Sequence, residues 1–191
     1  MTSAAGHSIV IVPIESFDLK LIESICKEIQ RVFGFQSKIL PLLKDLSFAF
    51  DPNRKQYHST PILQKLADKA PSTAAKVLAV VQVDLFIPIL THVYGEAQLG
   101  GKACVVSTFR LNEGHPSANL VEPFLGRIVK EAIHELGHTF RLRHCKDPAC
   151  LMHYCRDERD VDRKSDELCR YCKILLEDEL KKAGRKNPPA V

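Results

Sequence analysis

Residues 134–144 read His134-Glu135-Leu136-Gly137-His138-Thr139-Phe140-Arg141-Leu142-Arg143-His144, an HExxHxxxxxH pattern. On a helix of about 3.6 residues per turn, His134 and His138 lie one above the other on one face, so both imidazoles reach a single ion with Glu135 beside them. His144 joins them only if that helix stops. Six further helical residues past His138 would rise about 9 Å and turn to roughly the opposite side. The chain must therefore leave the helix near Arg141 and double back. Three neutral nitrogen ligands with one position left open make a catalytic zinc site, not a closed one, and Glu135 is the candidate base. The competing reading is a surface helix that carries His and Glu by chance, and the third His counts against it.

The cysteines supply a second constraint. Of Cys26, Cys104, Cys145, Cys150, Cys155, Cys169 and Cys172, five fall in the last quarter of the 191 residues. In a reducing compartment that clustering reads as metal binding before disulfides. Residues 1–7 contain no positive region followed by an apolar one, so no secretory signal is read and a cytoplasmic location is expected. The longest apolar stretch, residues 77–90, is broken by Gln82, Asp84 and Pro88, which excludes a membrane span. A formal net charge of +4 is too weak to argue for nucleic acid. The tail has Lys173, Lys181, Lys182, Arg185 and Lys186. Glu177, Asp178 and Glu179 interleave with them, and no aromatic stacking series accompanies them.

Along the chain, residues 8–14 (SIVIVPI) read as a buried first strand. Ser16 offers an N-cap to a helix with apolar residues at Leu21, Ile22, Ile25, Ile29, Val32 and Phe33, which Gly34 ends in the left-handed conformation. Residues 36–43 fit a short or edge strand, because Pro41 cannot donate to a ladder. Residues 51–58 are polar and read as an exposed loop. Thr60-Pro61 opens a helix to about Ala70. Residues 77–86 (VLAVVQVDLF) read as one central strand covered on both faces. Tyr94 to Gly101 carries glycines at tight turns or close approaches, residues 103–109 form the next strand, and residues 112–117 a loop with His115. The helix bearing the histidines starts between Asn119 and Pro123, with Phe124, Leu125, Ile128, Val129, Ala132 and Leu136 as its core face. Residues 156–167 read as a solvated loop, residues 166–183 as a helix, and residues 186–191 as a frayed end. Cys26 and Cys104 fit as small core residues. His7, His58, His92 and His115 are isolated and read as surface or structural. The order of elements implies an α/β part to about His144 and a small zinc-stapled part after it.

The stretch from His134 to His144, followed by Cys145, Cys150, Met152 and Cys169-Arg170-Tyr171-Cys172, resembles the archaemetzincins, a metzincin family of zinc metallopeptidases. The family pattern has the long zinc motif, a cysteine immediately after the third His, then C-x4-C-x-M and a later C-x-x-C. This chain keeps all of it, with 16 residues between Met152 and Cys169. Asp84-Leu85-Phe86 and Tyr94-Gly95-Glu96-Ala97-x-Leu99-Gly100-Gly101 also look like the family, so the similarity runs roughly from Asp84 to Cys172. It implies an α/β (α+β), zincin-like fold: a mixed twisted sheet, the active-site helix and a small zinc-stapled helical C-terminal subdomain. One peptidase domain is expected over residues 1–191, divided into 1–144 and 145–191.

By the same resemblance, His134, His138 and His144 are ligands of a catalytic zinc, Glu135 is the general base, and Met152 is the Met-turn. Cys145, Cys150, Cys169 and Cys172 are the four ligands of a second, structural zinc, with Cys155 able to replace Cys150. Two Zn2+ per chain are thus expected. The family's glycine between the second and third His is Arg141 here. If that position needs positive φ, the substitution costs about 1 kcal/mol or slightly more. Met152-His153-Tyr154 is similar to the Met-His-Tyr of astacins and serralysins, so Tyr154 is a candidate zinc or oxyanion contact. The other reading of Tyr154 is a core aromatic.

The expected reaction is hydrolysis of a peptide bond by a zinc-bound water, with the substrate extended along a sheet edge near residues 93–101 or the following strand. Arg141 and Arg143 flank the site and either favour acidic substrate positions or form a solvated face. The expected partner is a peptide or protein substrate, with neither nucleic acid nor membrane, and the chain is expected to act as a monomer. The alternative is a non-catalytic zinc-binding, peptide-binding module.

Overall fold

A computed structural model describes residues 7–111 and 124–183. Strand β1 (Ser8–Pro13) is followed by α1 (Leu19–Phe33), β2 (Ser37–Ile39), a hairpin of β3 (Phe50–Asp51) and β4 (Gln56–His58), and α2 (Ser59–Lys69). Then come β5 (Ala74–Val81), β6 (Leu85–Phe86), β7 (Gly95–Ala97), β8 (Ala103–Ser107), α3 (Phe124–Thr139), α4 (Glu158–Arg163) and α5 (Arg170–Lys182). The main sheet has the order β2-β1-β5-β8-β7. Its first four strands are parallel, and β7 returns antiparallel to β8.

Alternation along the central strands makes the core. Ile9, Ile11, Leu78, Val80, Cys104 and Val106 pack with α1 and α3 on one face. Val10, Val12, Val77, Ala79, Val81 and Val105 pack with Ile62, Leu63 and Leu66 of α2 on the other. With a side-chain period of two, a strand buried on both sides must be apolar throughout, and β5 and β8 are. Helix α1 presents Leu21, Ile22, Ile25, Ile29 and Phe33 as its buried stripe. Gly34, at φ 68°, closes it as read from the sequence. Cys26 packs against that core and Cys104 is fully buried in it.

Several expectations change. The cap of α1 is Asp18, whose carboxylate accepts from the Lys20 N–H at 2.8 Å; the helix starts two residues beyond the position Ser16 would have capped. Residues 77–86 are two strands. β5 ends at Val81, and the Gln82 amide turns to the Ser16 carbonyl. Asp84 accepts two bonds from Arg110 and one from Gln56, so β6 joins β4 in a separate three-stranded sheet. Residues 51–58 therefore contain strand, folded by the Asp51 carboxylate accepting from the Asn53 and Arg54 N–H groups. Residues 156–167 contain α4, capped by Asp157 and anchored by the buried Val161. The expected loop at 112–117, the start of the histidine-bearing helix and the frayed end at 186–191 lie outside the described residues. Among the described residues, no helix is long and apolar enough to cross a membrane.

Candidate metal centre

Helix α3 crosses behind β7 and β8 with Ile128, Ala132, Ile133 and Leu136 buried. Its end is a Schellman turn. The Arg141 N–H bonds the His138 carbonyl at 3.0 Å, and the Leu142 N–H bonds the Gly137 carbonyl at 3.1 Å. Arg141 has φ 65°, so the left-handed conformation that the family's glycine would adopt without strain is taken by an arginine where the chain doubles back. Its side chain packs over Gly100 and reaches Glu179 of α5 at 3.5 Å. Lys76 closes the same end, its ammonium donating to the Thr139 carbonyl at 2.6 Å and the Gly101 carbonyl at 2.7 Å.

With the helix stopped there, His144 folds back to the other two. The ligand nitrogens of His134, His138 and His144 all lie within 4.8 Å of one another. His134 Nε2 and His138 Nε2 are 3.1 Å apart; nitrogens sharing one tetrahedral zinc at about 2.05 Å lie about 3.3 Å apart. The opposite ring atoms are held. His134 Nδ1 bonds the Leu151 carbonyl at 3.0 Å, and His138 Nδ1 bonds the Leu142 carbonyl at 2.7 Å. A carbonyl accepts only from N–H, so in the metal-binding tautomer the two Nε2 lone pairs face the centre. Burial lowers the pKa of all three rings, His144 to about 4. Neutral imidazoles, the form that binds a metal, therefore prevail at neutral pH.

The segment after Cys150 supports this group from below. Met152 is fully buried, with its sulfur against Gly137, where an added Cβ would come within 2.6 Å. The Cys145 N–H bonds the Met152 carbonyl at 2.8 Å, and His153 Nδ1 bonds the Cys145 carbonyl at 2.9 Å. The segment carrying His144 is thus tied to the segment carrying Met152.

Cys145, Cys150, Cys169 and Cys172 bring their sulfurs within 4.8 Å of one another. The Cys145 and Cys169 sulfurs are 3.8 Å apart. That is far beyond a disulfide of about 2.05 Å and matches about 3.8 Å for two thiolates on one tetrahedral zinc. The Cys169 N–H donates to the Cys150 sulfur at 3.3 Å. Cys155 is not in this group; it lines the histidine cleft instead.

That cleft has a volume of about 660 Å³. Glu135 opens into it, close to Gly95 of β7, where an added Cβ would sit 2.7 Å from its Cγ. Burial, then the neighbouring Glu131, pushes the Glu135 carboxyl well above the usual carboxylate range. Glu131 pairs at 2.6 Å with the fully buried Lys164, whose ammonium also lies 3.4 Å from His134 Nδ1. Tyr154 is 47% exposed and its ring lies 5.1 Å from that of His144, so it is a cleft residue and not a core aromatic.

The profile of peptidase family M54 matches residues 21–178. An archaemetzincin of Methanopyrus kandleri is 40% identical over 136 residues, which cover 71% of this chain and 74% of the relative. The chain belongs to peptidase family M54, the archaemetzincins. The 1.5 Å crystal structure of a Methanopyrus kandleri archaemetzincin superposes with a TM-score of 0.77 at 29% identity, covering 94% of this chain and 98% of that one. A crystal structure of a zinc-dependent peptidase from Methanocorpusculum labreanum gives 0.77 at 27% identity, covering 88% of this chain and all of the other. The archaemetzincin fold expected from the resemblance is the fold found, and the chain is a zinc metallopeptidase.

Within this M54 peptidase, the structure brings together every residue that the spacing singled out: the three histidines and Glu135 around one cleft, and the four cysteines beside it. It also reveals groups that the sequence did not advertise. Glu131 sits one turn before Glu135, a signal available from i, i+4 spacing. Lys164 had no local signal at all. Glu96 of β7 accepts bonds from the hydroxyls of Ser59 (2.5 Å) and Thr60 (3.0 Å), so Thr60, expected to open the second helix, lies one residue inside it and holds a cleft-lining carboxylate. His115 lies outside the described residues.

Proposed function

We propose that this chain is a metzincin-type zinc peptidase with two zinc ions. In this reading His134, His138 and His144 hold the catalytic ion, and Cys145, Cys150, Cys169 and Cys172 hold a structural one. The supporting observation is the convergence of three neutral imidazoles, a buried carboxylate and an open sheet edge on one cleft. Zinc bound there supplies a Lewis acid that activates water and polarises a peptide carbonyl.

The chain's own residues do the rest. β7 is the free edge of the sheet beside the cleft, and an extended substrate takes backbone hydrogen bonds along it. Glu135 accepts the proton given up by the attacking water and passes it to the leaving amine. Its raised proton affinity suits both halves of that transfer. Met152 is the Met-turn beneath the helix. Tyr154, beside His144, donates its hydroxyl to the developing oxyanion. Residues 1–191 act as one peptidase domain, with 1–144 bearing sheet and active-site helix and 145–191 bearing Met-turn and cysteines. It works as a cytoplasmic monomer, where reducing conditions keep the four thiols available to metal.

The test is cleavage of a mixed quenched-peptide library by the wild type and by Glu135→Ala at matched zinc content. Cleavage by the wild type that disappears in the variant supports the peptidase and the base. No cleavage by either, with both zinc ions bound, would overturn it in favour of a non-catalytic zinc module.

A further inference from the structure

The charged groups lining the cleft divide into those with partners inside the protein and those left open. Three carboxylates face it: Glu96, Glu131 and Glu135. Glu96 is held by the Ser59 and Thr60 hydroxyls, and Glu131 by the Lys164 ammonium. Glu135 belongs to the reaction. The two arginines on the lining are Arg143, next to His144, and Arg156, two residues past Tyr154. Both are exposed, and neither guanidinium has an ion-pair or hydrogen-bond partner among the described residues. Arg141, two residues before Arg143, is different: it packs on Gly100 and pairs with Glu179, away from the cleft. Of the two arginines in the motif, only Arg143 is therefore available to a ligand. The lining also includes the apolar Ile87, Leu90 and Leu99.

We propose that Arg143 and Arg156 are specificity-determining residues that take a substrate carboxylate, so that the cleft selects acidic peptides. The inference rests on the peptidase reading and names its substrate class. A guanidinium offers paired N–H donors that match a carboxylate, and one on an open wall meets it without first breaking an internal pair. The His144–Tyr154 ring contact joins the two segments that carry these arginines, Arg143 one residue before His144 and Arg156 two after Tyr154, and all four residues line the one cleft. Unpaired cations beside a cleft also draw anionic ligands toward it, an effect that salt weakens. The preference therefore appears in KM and in binding more than in kcat, and it fades as salt is raised.

The carboxylate has two sources, an acidic side chain or the free C-terminus of the peptide. The experiment separates them. A set of Ala/Leu quenched peptides carries a single Glu, or Gln in its place, scanned through both sides of the cleaved bond, each made with a free and an amidated C-terminus. Cleavage is measured with wild type, Arg143→Gln, Arg156→Gln and the charge control Lys146→Gln, whose parent residue does not line the cleft. Binding of the same peptides to Glu135→Gln is measured by fluorescence anisotropy, independently of turnover.

The expected result is about three- to tenfold better binding and kcat/KM for Glu over Gln at one or two positions, or for acid over amide termini. That preference falls to below about twofold in one or both arginine variants and persists in Lys146→Gln. Equal treatment of every pair by the wild type, or a preference that survives in both arginine variants, overturns the inference and leaves the peptidase reading intact. No cleavage by any protein, with acidic peptides still preferred in binding, overturns the reaction and keeps the carboxylate site.

Discussion

Removing the Lys164 ammonium is the sharpest perturbation of the site's foundation. Its side chain is 0% exposed, Glu131 is 5% exposed, and their charged atoms are 2.6 Å apart. Glu131 Oε1 has this ion pair but no aligned hydrogen bond to share the load. Lys164→Met would leave a carboxylate buried against a helix turn that also carries His134 and Glu135. Breaking one side of such a pair costs about 3–5 kcal/mol, whereas replacing both sides with apolar groups is neutral or stabilising by about 1–4 kcal/mol. The expected outcome is thus a loss of about 3–5 kcal/mol in Lys164→Met and recovery to the wild-type value or above in Lys164→Met/Glu131→Leu. Urea unfolding followed by circular dichroism at fixed free zinc measures both, since any metal linkage must be held constant across the variants. A single variant costing under about 1 kcal/mol, or a double variant as unstable as the single one, would refute the argument that burial makes the unpaired carboxylate costly.

Gly95→Ala should cut kcat/KM by about 100-fold with an unchanged far-UV spectrum, because its Cβ would sit 2.5 Å from the Val105 carbonyl and 2.7 Å from Glu135; unaltered turnover would contradict the close approach. Cys172→Ser should bind one zinc fewer by elemental analysis and melt more than about 10 °C lower, because a thiolate cluster contributes its binding energy to folding. Lys76 has its pKa lowered by burial from 10.5 to about 8. Between those values the unfolded chain holds a proton that the folded chain has released, so stability rises with pH across that window and is flat below it. The urea midpoint of the wild type should therefore rise relative to Lys76→Met between pH 8 and 10.5; a relative fall would reverse the assignment.

What the sequence reveals about the site is what lies close along the chain. His134, Glu135 and His138 are fixed by helical spacing alone, and the need for the helix to end before His144 falls near Arg141, where the chain turns at φ 65°. Lys164, Lys76 and Glu96 are hidden for the opposite reason. Lys76 meets Thr139 from 63 residues away, and Ser59 meets Glu96 from 37. Such pairings depend on how the sheet brings elements together, and no local pattern encodes them. Helix α4 escaped notice because it buries only Val161, too little for an apolar period to be seen among its charges. The split of residues 77–86 turned on Asp84, whose partners Arg110 and Gln56 are likewise distant.

The brevity of β7 has a consequence for association and release. An open sheet edge invites pairing with another chain, and proteins guard against it by keeping edge strands short or charged. β7 offers three residues, with Glu96 in the middle, and β2 at the far edge also has three, with Lys38 in the middle. Neither is long enough to template a continuous sheet between copies. The same shortness limits how many backbone bonds any extended peptide can make there, so a cleaved half, holding fewer of them, leaves quickly. On the proposed reading, an edge built this way would resist aggregation and clear its products by one and the same economy of length.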